Sequence, residues 1–287
     1  MPHTPDRRST AAVTLRWLGQ AGFALRAGQD GPAANEDQLL LIDPYLSDTL
    51  AAKYRGTRFP HVRLHPAPVP PGDLRDVAAV LCTHGHTDHM DPGTIKGIEV
   101  HNTPEYVVPR AERRTALERG APAERLTGVD AGERVTVAGV RVEPVPAAHE
   151  ELRRDEHGNH HCLGYVITLG GLRVYHSGDC VPYDGQADLL RALGIDLALL
   201  PVNGRDAYRT SNGVPGNFSL AEAVDLCRAA RIPRLLCHHF GLFDFNTADP
   251  DELRARLTAT ADGLAWTVPE VGATYRLTPD SPDLERI

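Results

Sequence analysis

Residues 79–92 read Ala79-Val80-Leu81-Cys82-Thr83-His84-Gly85-His86-Thr87-Asp88-His89-Met90-Asp91-Pro92. The first four are apolar and predict a short buried strand. His84, His86, Asp88 and His89 then crowd into a segment that Gly85 and Thr87 allow to turn sharply. Pro92 suits the first turn of a following helix. Desolvating so many imidazole and carboxylate groups side by side costs stability unless something satisfies them. A metal ion does. Imidazole suits zinc, iron and similar ions, and a carboxylate adds hard oxygen character. One ion can be gripped by His84 and His86, and a second by Asp88 and His89. The competing reading is a His-rich surface loop, which the buried strand leading into it disfavours.

Outward from this loop, three more apolar strands are expected to end in ligand-type residues: His149 after 140–145, Asp179 after 172–176, and His238-His239 after 234–237. Adjacent residues on a strand point to opposite faces, so only one of His238 and His239 can face the metals, and alternation alone does not choose. Asp43 ends the apolar run Leu39–Ile42 and is expected to support a ligand, as are Glu150 and whichever of His238 and His239 faces away. The loop from Asn203 to Arg209 is the expected substrate contact. Arg205 and Arg209 there have the fork geometry that clamps a phosphate or carboxylate, with Asn203 beside them.

The strand and helix signals run through residues 13–278 without a dividing linker. Strands come first, then strands mixed with helices, twice over. The expectation is an α+β chain with one domain at 13–278, two sheets packed face to face and helices outside. Residues 1–12 are expected to be a flexible N-terminus and 279–287 a frayed tail. Residues 28–37 read as a polar loop, and 47–72, with Lys53, Arg55, Arg58, Arg63 and several prolines, as a long irregular segment beside the site.

Composition removes several function classes. A net charge of −8 disfavours a non-specific nucleic-acid surface. No apolar run is long enough to span a bilayer, and the polar start lacks a signal-peptide core, so a cytoplasmic protein is expected. Five cysteines at no framework spacing are expected to be reduced thiols.

The set His84-x-His86-x-Asp88-His89, His149, Asp179 and His239 resembles the metallo-β-lactamase fold superfamily. That resemblance implies a four-layered αββα sandwich with the site at the edge between its sheets. Further stretches resemble the L-ascorbate-6-phosphate lactonase-like family. They are Trp17-Leu18-Gly19-Gln20-Ala21-Gly22-Phe23, Asp43-Pro44-Tyr45-Leu46-Ser47, Ala147-Ala148-His149-Glu150, Tyr175-His176-Ser177-Gly178-Asp179, Leu200 to Asp206, and His239-Phe240-Gly241-Leu242-Phe243. The alignment points to His239, rather than His238, as the ligand. It implies a manganese-dependent, cytoplasmic homo-oligomer. The chain departs from that family's usual pattern at Gly85 and Cys180.

The expected cofactor is one or two divalent ions, zinc or manganese, with iron a further option. His84, His86 and His149 would hold one; Asp88, His89 and His239 the other; Asp179 would bridge. Two ions roughly 3.5–4 Å apart share a hydroxide whose pKa they lower, and it attacks the substrate. Asp88 and His239 are the expected catalytic residues. The expected reaction opens a small anionic lactone or ester, a sugar-phosphate lactone by resemblance. The alternatives are a phosphodiesterase acting on cyclic nucleotides or other phosphodiesters, and a non-catalytic metal-binding sensor or biosynthetic accessory protein.

Overall fold

The computed structural model describes residues 11–27 and 38–287. The expected flexible N-terminus lies outside the described residues except for its last two, and the expected loop at 28–37 lies wholly outside them.

Strands β1 (Val13–Gly19) and β2 (Gly22–Ala27) form the first hairpin, and β3 (Leu39–Ile42) pairs antiparallel with β2. A short helix α1 (Thr49–Lys53) interrupts the segment expected to be irregular, before β4 (Val77–Leu81), which is parallel to β3. Helix α2 (Pro92–Ile98) starts where Pro92 predicts, with Asp91 accepting hydrogen bonds from Gly93 and Thr94 N–H. Next come β5 (Glu105–Pro109), α3 (Arg113–Glu118) and β6 (Leu126–Val129). Pro109 ends β5, and a 3₁₀ turn at Arg110–Glu112 precedes α3. With β14 (Thr274–Leu277) and β15 (Glu285–Arg286) from the end of the chain, these strands make an eight-stranded sheet in the order β15-β14-β1-β2-β3-β4-β5-β6.

The second sheet opens with β7 (Val135–Val137), β8 (Val140–Pro146), β9 (Leu163–Leu169) and β10 (Leu172–His176). Helix α4 (Gln186–Leu193) leads to β11 (Leu197–Pro201). Helix α5 (Ala207–Ser211) begins within the loop expected from Asn203 to Arg209, started by the Asp206 carboxylate accepting Arg209 N–H. Helix α6 (Leu220–Ala230) carries a full capping box between Ser219 and Glu222. Then follow β12 (Arg234–His238), α7 (Pro250–Thr260) and β13 (Ala265–Thr267). The order is β13-β12-β11-β10-β9-β8-β7. Finally β14 (Thr274–Leu277) returns to the first sheet, and β15 (Glu285–Arg286) pairs with it within the stretch expected to fray.

Both faces of the first sheet are covered, which explains why β3 and β4 are apolar throughout rather than alternating. Leu40, Ile42, Ala79 and Leu81 pack inward against Val142, Tyr165, Ile167 and Val174 of the second sheet. Leu39, Leu41 and Val80 face the other way, onto Ile95 and Ile98 of α2 and Ala116 of α3. Helices α4, α6 and α7 deliver Leu190, Val224, Leu253 and Leu257 to the core around the second sheet. The layers are helix, sheet, sheet, helix: an α+β sandwich. Among the described residues no helix is long and apolar enough to cross a membrane.

Candidate metal centre

The ligand-type residues converge because β3 and β4 run parallel in one sheet, and β8, β10 and β12 run in one direction in the other. Asp43 and His84 follow the first pair; His149, Asp179 and His239 follow the second group. Hydrogen bonds sew the two edges together here: Leu163 N–H to Thr83 O (2.9 Å), Tyr165 O–H to Cys82 O (2.8 Å) and His239 N–H to Gln20 O (2.8 Å). Gly178 lets the closest approach happen. It sits at φ +61°, and a Cβ there would lie 2.7 Å from Thr83 Cβ.

Three overlapping triads result: His84, His86 and His149; His84, His89 and Asp179; Asp88, His89 and His239. Within each, the candidate ligand atoms lie within 4.8 Å of one another. His149 Nε2 is 3.3 Å from His86 Nδ1. Asp179 reaches both halves, with Oδ2 3.7 Å from His149 Nε2 on one side and, on the other, Oδ1 3.3 Å from His89 Nε2 and Oδ2 3.2 Å from His239 Nε2. The seven residues expected as ligands thus meet at one place.

Behind them is a layer of orienting contacts. His89 Nδ1 lies 2.7 Å from Asp43 Oδ2. If Nδ1 is the donor, as the carboxylate partner requires, Nε2 faces the cluster with its lone pair free. Asp43 is itself held by Thr83, whose N–H donates to Oδ1 (2.8 Å) and whose hydroxyl donates to Oδ2 (2.6 Å). Thr83 Oγ1 is also 3.1 Å from His84 Nδ1, so one residue orients two imidazoles. Gln20 Nε2 donates to Asp88 Oδ2 (2.9 Å) and lies 3.2 Å from His239 Nε2. Arg119 donates to the backbone oxygens of His86 and Met90, steadying the loop from behind.

Burial and the neighbouring His89 hold His84 well below the usual histidine range, and burial pushes His149 down to about 4. Both rings are therefore neutral near pH 7, the form that ligates. Burial also opposes charge on His89, but Asp179, Asp43 and Asp88 together outweigh it and pull the pKa well up. The carboxylates thus call for positive charge at the centre of the cluster. Nε2 of His84 and of His89 and Oδ1 of Asp179 are buried without a hydrogen-bond partner. Leaving such atoms unsatisfied costs about 1–3 kcal/mol each. A divalent cation answers both demands, and the donor set fits one.

Other expected site residues lie elsewhere. His238 points into the core, stacked on His176 (centroids 4.7 Å apart, planes 17° apart) and edge-on to Phe23. His239 is the member of the pair that faces the cluster. Glu150 touches no ligand among the described residues; Oε1 accepts from Thr210 Oγ1 and Gly216 N–H, tying down the 203–217 loop. Asn203, Arg205 and Arg209, the substrate contacts expected from the sequence, are not brought to the cluster. Arg205 forms two 2.7 Å bonds with Glu222, Arg209 bonds to Asp206, Asn246 and Asn203 O, and Asn203 is buried between Asn217 and Asn246. Their donors serve the loop and the start of α6. Cys180 is buried, its thiol pushed up to about 12 by burial and donating to Val181 O, which makes it core rather than ligand.

Sequence reasoning passed over Thr83, the side chain of Gln20 and the aromatic residues above the cluster. A cavity of about 440 Å³ opens over His86, Asp88, His149, Asp179 and His239. Its remaining wall includes Tyr54, Phe59, His61, Phe243 and Phe245, with Lys53, Arg58 and Arg119 as cations. Only the Phe243 position had a signal, as part of the final His-plus-aromatic stretch.

Comparison with known proteins agrees with this geometry. A family model described as a beta-lactamase superfamily domain matches residues 39–240, which include all seven candidate ligands. A metal-dependent hydrolase from Myxococcus xanthus is 27% identical over 281 residues, covering 95% of this chain and 86% of the relative. One from Methanosarcina mazei is 28% identical over 264 residues, covering 88% and 94%. Among solved structures, an isothiocyanate hydrolase from gut bacteria of Delia radicum superposes with a TM-score of 0.69 at 21% identity, covering 91% of this chain and 97% of that one. At that identity the likeness is one of fold.

Proposed function

The chain belongs to the beta-lactamase superfamily domain family, and from that premise we propose that this metal-dependent hydrolase opens small anionic lactones or esters. The observation that carries the reading is the set of three ligand triads on the floor of a substrate-sized cavity. The resemblance to the L-ascorbate-6-phosphate lactonase-like family makes a sugar-phosphate lactone the first substrate to try. It also makes a cytoplasmic homo-oligomer the expected form.

In this proposal His84, His86 and His149 hold one site, Asp88, His89 and His239 hold the other, and Asp179 spans them. Bound there, zinc or manganese, with iron as the third option, supplies Lewis acidity at the reacting carbonyl and lowers the pKa of water. The protein's own contribution is orientation. Thr83 and Asp43 set the His89 ring, and Gln20 aims the Asp88 carboxylate. Ring opening adds one water across the ester C–O bond, giving a carboxylic acid and an alcohol. Asp88, a carboxylate beside His239, would take the proton released by the attacking water and pass it to the departing alcohol oxygen.

The test is elemental analysis followed by turnover of a sugar-phosphate lactone, a simple ester and a cyclic phosphodiester, before and after chelation. Lactone or ester turnover that is lost on chelation and restored by zinc or manganese is expected. Turnover of the phosphodiester alone would replace the substrate class. Protein that binds no metal and turns over nothing would overturn the reading.

A further inference from the structure

The cavity has a half that the metal chemistry does not use. Its hub is His61, stacked on Tyr54 (centroids 4.2 Å apart, planes 22° apart) and edge-on to Phe243 (4.9 Å) and Phe245 (4.8 Å). Phe59 extends the wall from Phe245 (5.0 Å) toward Tyr208 (6.3 Å). Phe243 is almost wholly buried, whereas Tyr54, Phe59, His61 and Phe245 are only partly covered. Burial lowers the His61 pKa, so its ring joins this wall as a neutral aromatic. An open face of partly covered rings beside a reaction centre suits a flat apolar group, since every ring offers a π-face.

At the mouth of this half stand two cations without a counter-ion among the described residues. Arg58 donates to Tyr208 Oη (2.7 Å) and Asn212 Oδ1 (2.8 Å), both neutral, and its guanidinium lies 5.0 Å from the Tyr208 ring centre. Those bonds hold the guanidinium in place while leaving its charge uncompensated and other N–H donors free. Lys53 has only the Tyr54 ring, 5.0 Å away. Among the described residues neither pairs with a carboxylate. A ring-lined wall with anchored cations at its rim matches a planar, apolar molecule bearing an anionic group at its far end.

We propose that this half of the cavity is a specificity subsite for the aromatic portion of an anionic aryl ester or lactone, with the ring against His61 and Phe245 and the anion at Arg58 and Lys53. The proposal rests on the hydrolase reading above for the position of the scissile bond and narrows its substrate class away from polyhydroxylated sugars. Hydrolysis of such an ester consumes one water and releases a carboxylic acid and a phenol.

The experiment uses the metal-loaded protein with 4-acetoxybenzoate, phenyl acetate and a sugar-phosphate lactone as substrates. The non-hydrolysable amide 4-acetamidobenzoate reports binding by calorimetry. The expected result is a kcat/KM for 4-acetoxybenzoate at least tenfold above those for the other two. Arg58→Gln, a change at an exposed side chain, should raise KM about tenfold with kcat little changed and weaken 4-acetamidobenzoate to match. Phe245→Ala should do the same for both aryl esters, while Phe245→Leu, which keeps apolar volume if the alanine variant fails to fold, should lose at least half of the preference. Sugar-phosphate lactone turnover with no binding of 4-acetamidobenzoate would overturn the subsite and leave the hydrolase reading intact. Binding that is lost in Arg58→Gln, in a protein that hydrolyses none of the three, would uphold the subsite and sink the hydrolase reading. Equal binding by wild type and Arg58→Gln would overturn the anion assignment.

Discussion

The floor and the wall of the cavity are built on different terms. The floor sits at the ends of five strands, and its ligands are positioned by contacts along the edge of the first sheet: Thr83 to Asp43, Asp43 to His89, Gln20 to Asp88. The wall comes from loops and two short helices, and its cross-links, such as Arg58 to Tyr208, are exposed. Rigid sheet edges can hold several donors to the sub-ångström tolerance that metal chemistry needs, whereas loops vary without disturbing a core. One scaffold can thus keep its floor while its wall selects the substrate.

The largest effect should come from removing the residue both halves of the floor share. Asp179→Ala is expected to lower kcat/KM on the order of 10³-fold, several kcal/mol of transition-state stabilisation, and to lower metal content by elemental analysis. Full metal content and activity in that variant would break the contrast. Gly178→Ala tests the closeness of the sheets. It forces a side chain into left-handed backbone and against Thr83, and should cost about 2–4 kcal/mol in denaturant unfolding; a loss under half a kcal/mol would mean that the sheet edges yield easily.

Asp43→Asn keeps the shape but weakens the acceptor behind His89, and a 10–100-fold fall in metal affinity or activity is expected. An unchanged metal titration would demote Asp43 to a turn residue. The smallest effect belongs outside both regions. Glu222→Gln should cost about 1 kcal/mol or less through the α6 cap and the partly exposed Arg205 pair, without changing KM. Contact with Arg205 holds the Glu222 carboxyl down to about 2, against 4.5 for the free side chain. Its contribution is therefore whole above about pH 4.5 and fades as pH falls toward 2. A variant as acid-sensitive as the parent between those values would remove the pair from the account.

What the residues alone determined was mostly what is local. Strands 39–42 and 172–176 and the helix start at Pro92 were legible to the residue, because apolar runs bounded by Gly, Pro and capping side chains are read within one element. The ligand types were legible for the same reason, each following its strand. Short elements such as α1, α5 and β13 lack a full period of pattern and were missed. The tertiary structure decided the rest: that His239 rather than His238 faces the cluster, that Thr83 and Gln20 orient its ligands, and that Arg205 pairs with Glu222. Long charged and amide side chains choose among partners that the fold brings near from far along the chain. No spacing rule within one segment carries that choice, and the aromatic wall, gathered from residues 54–61 and 243–245, exists only once those segments meet.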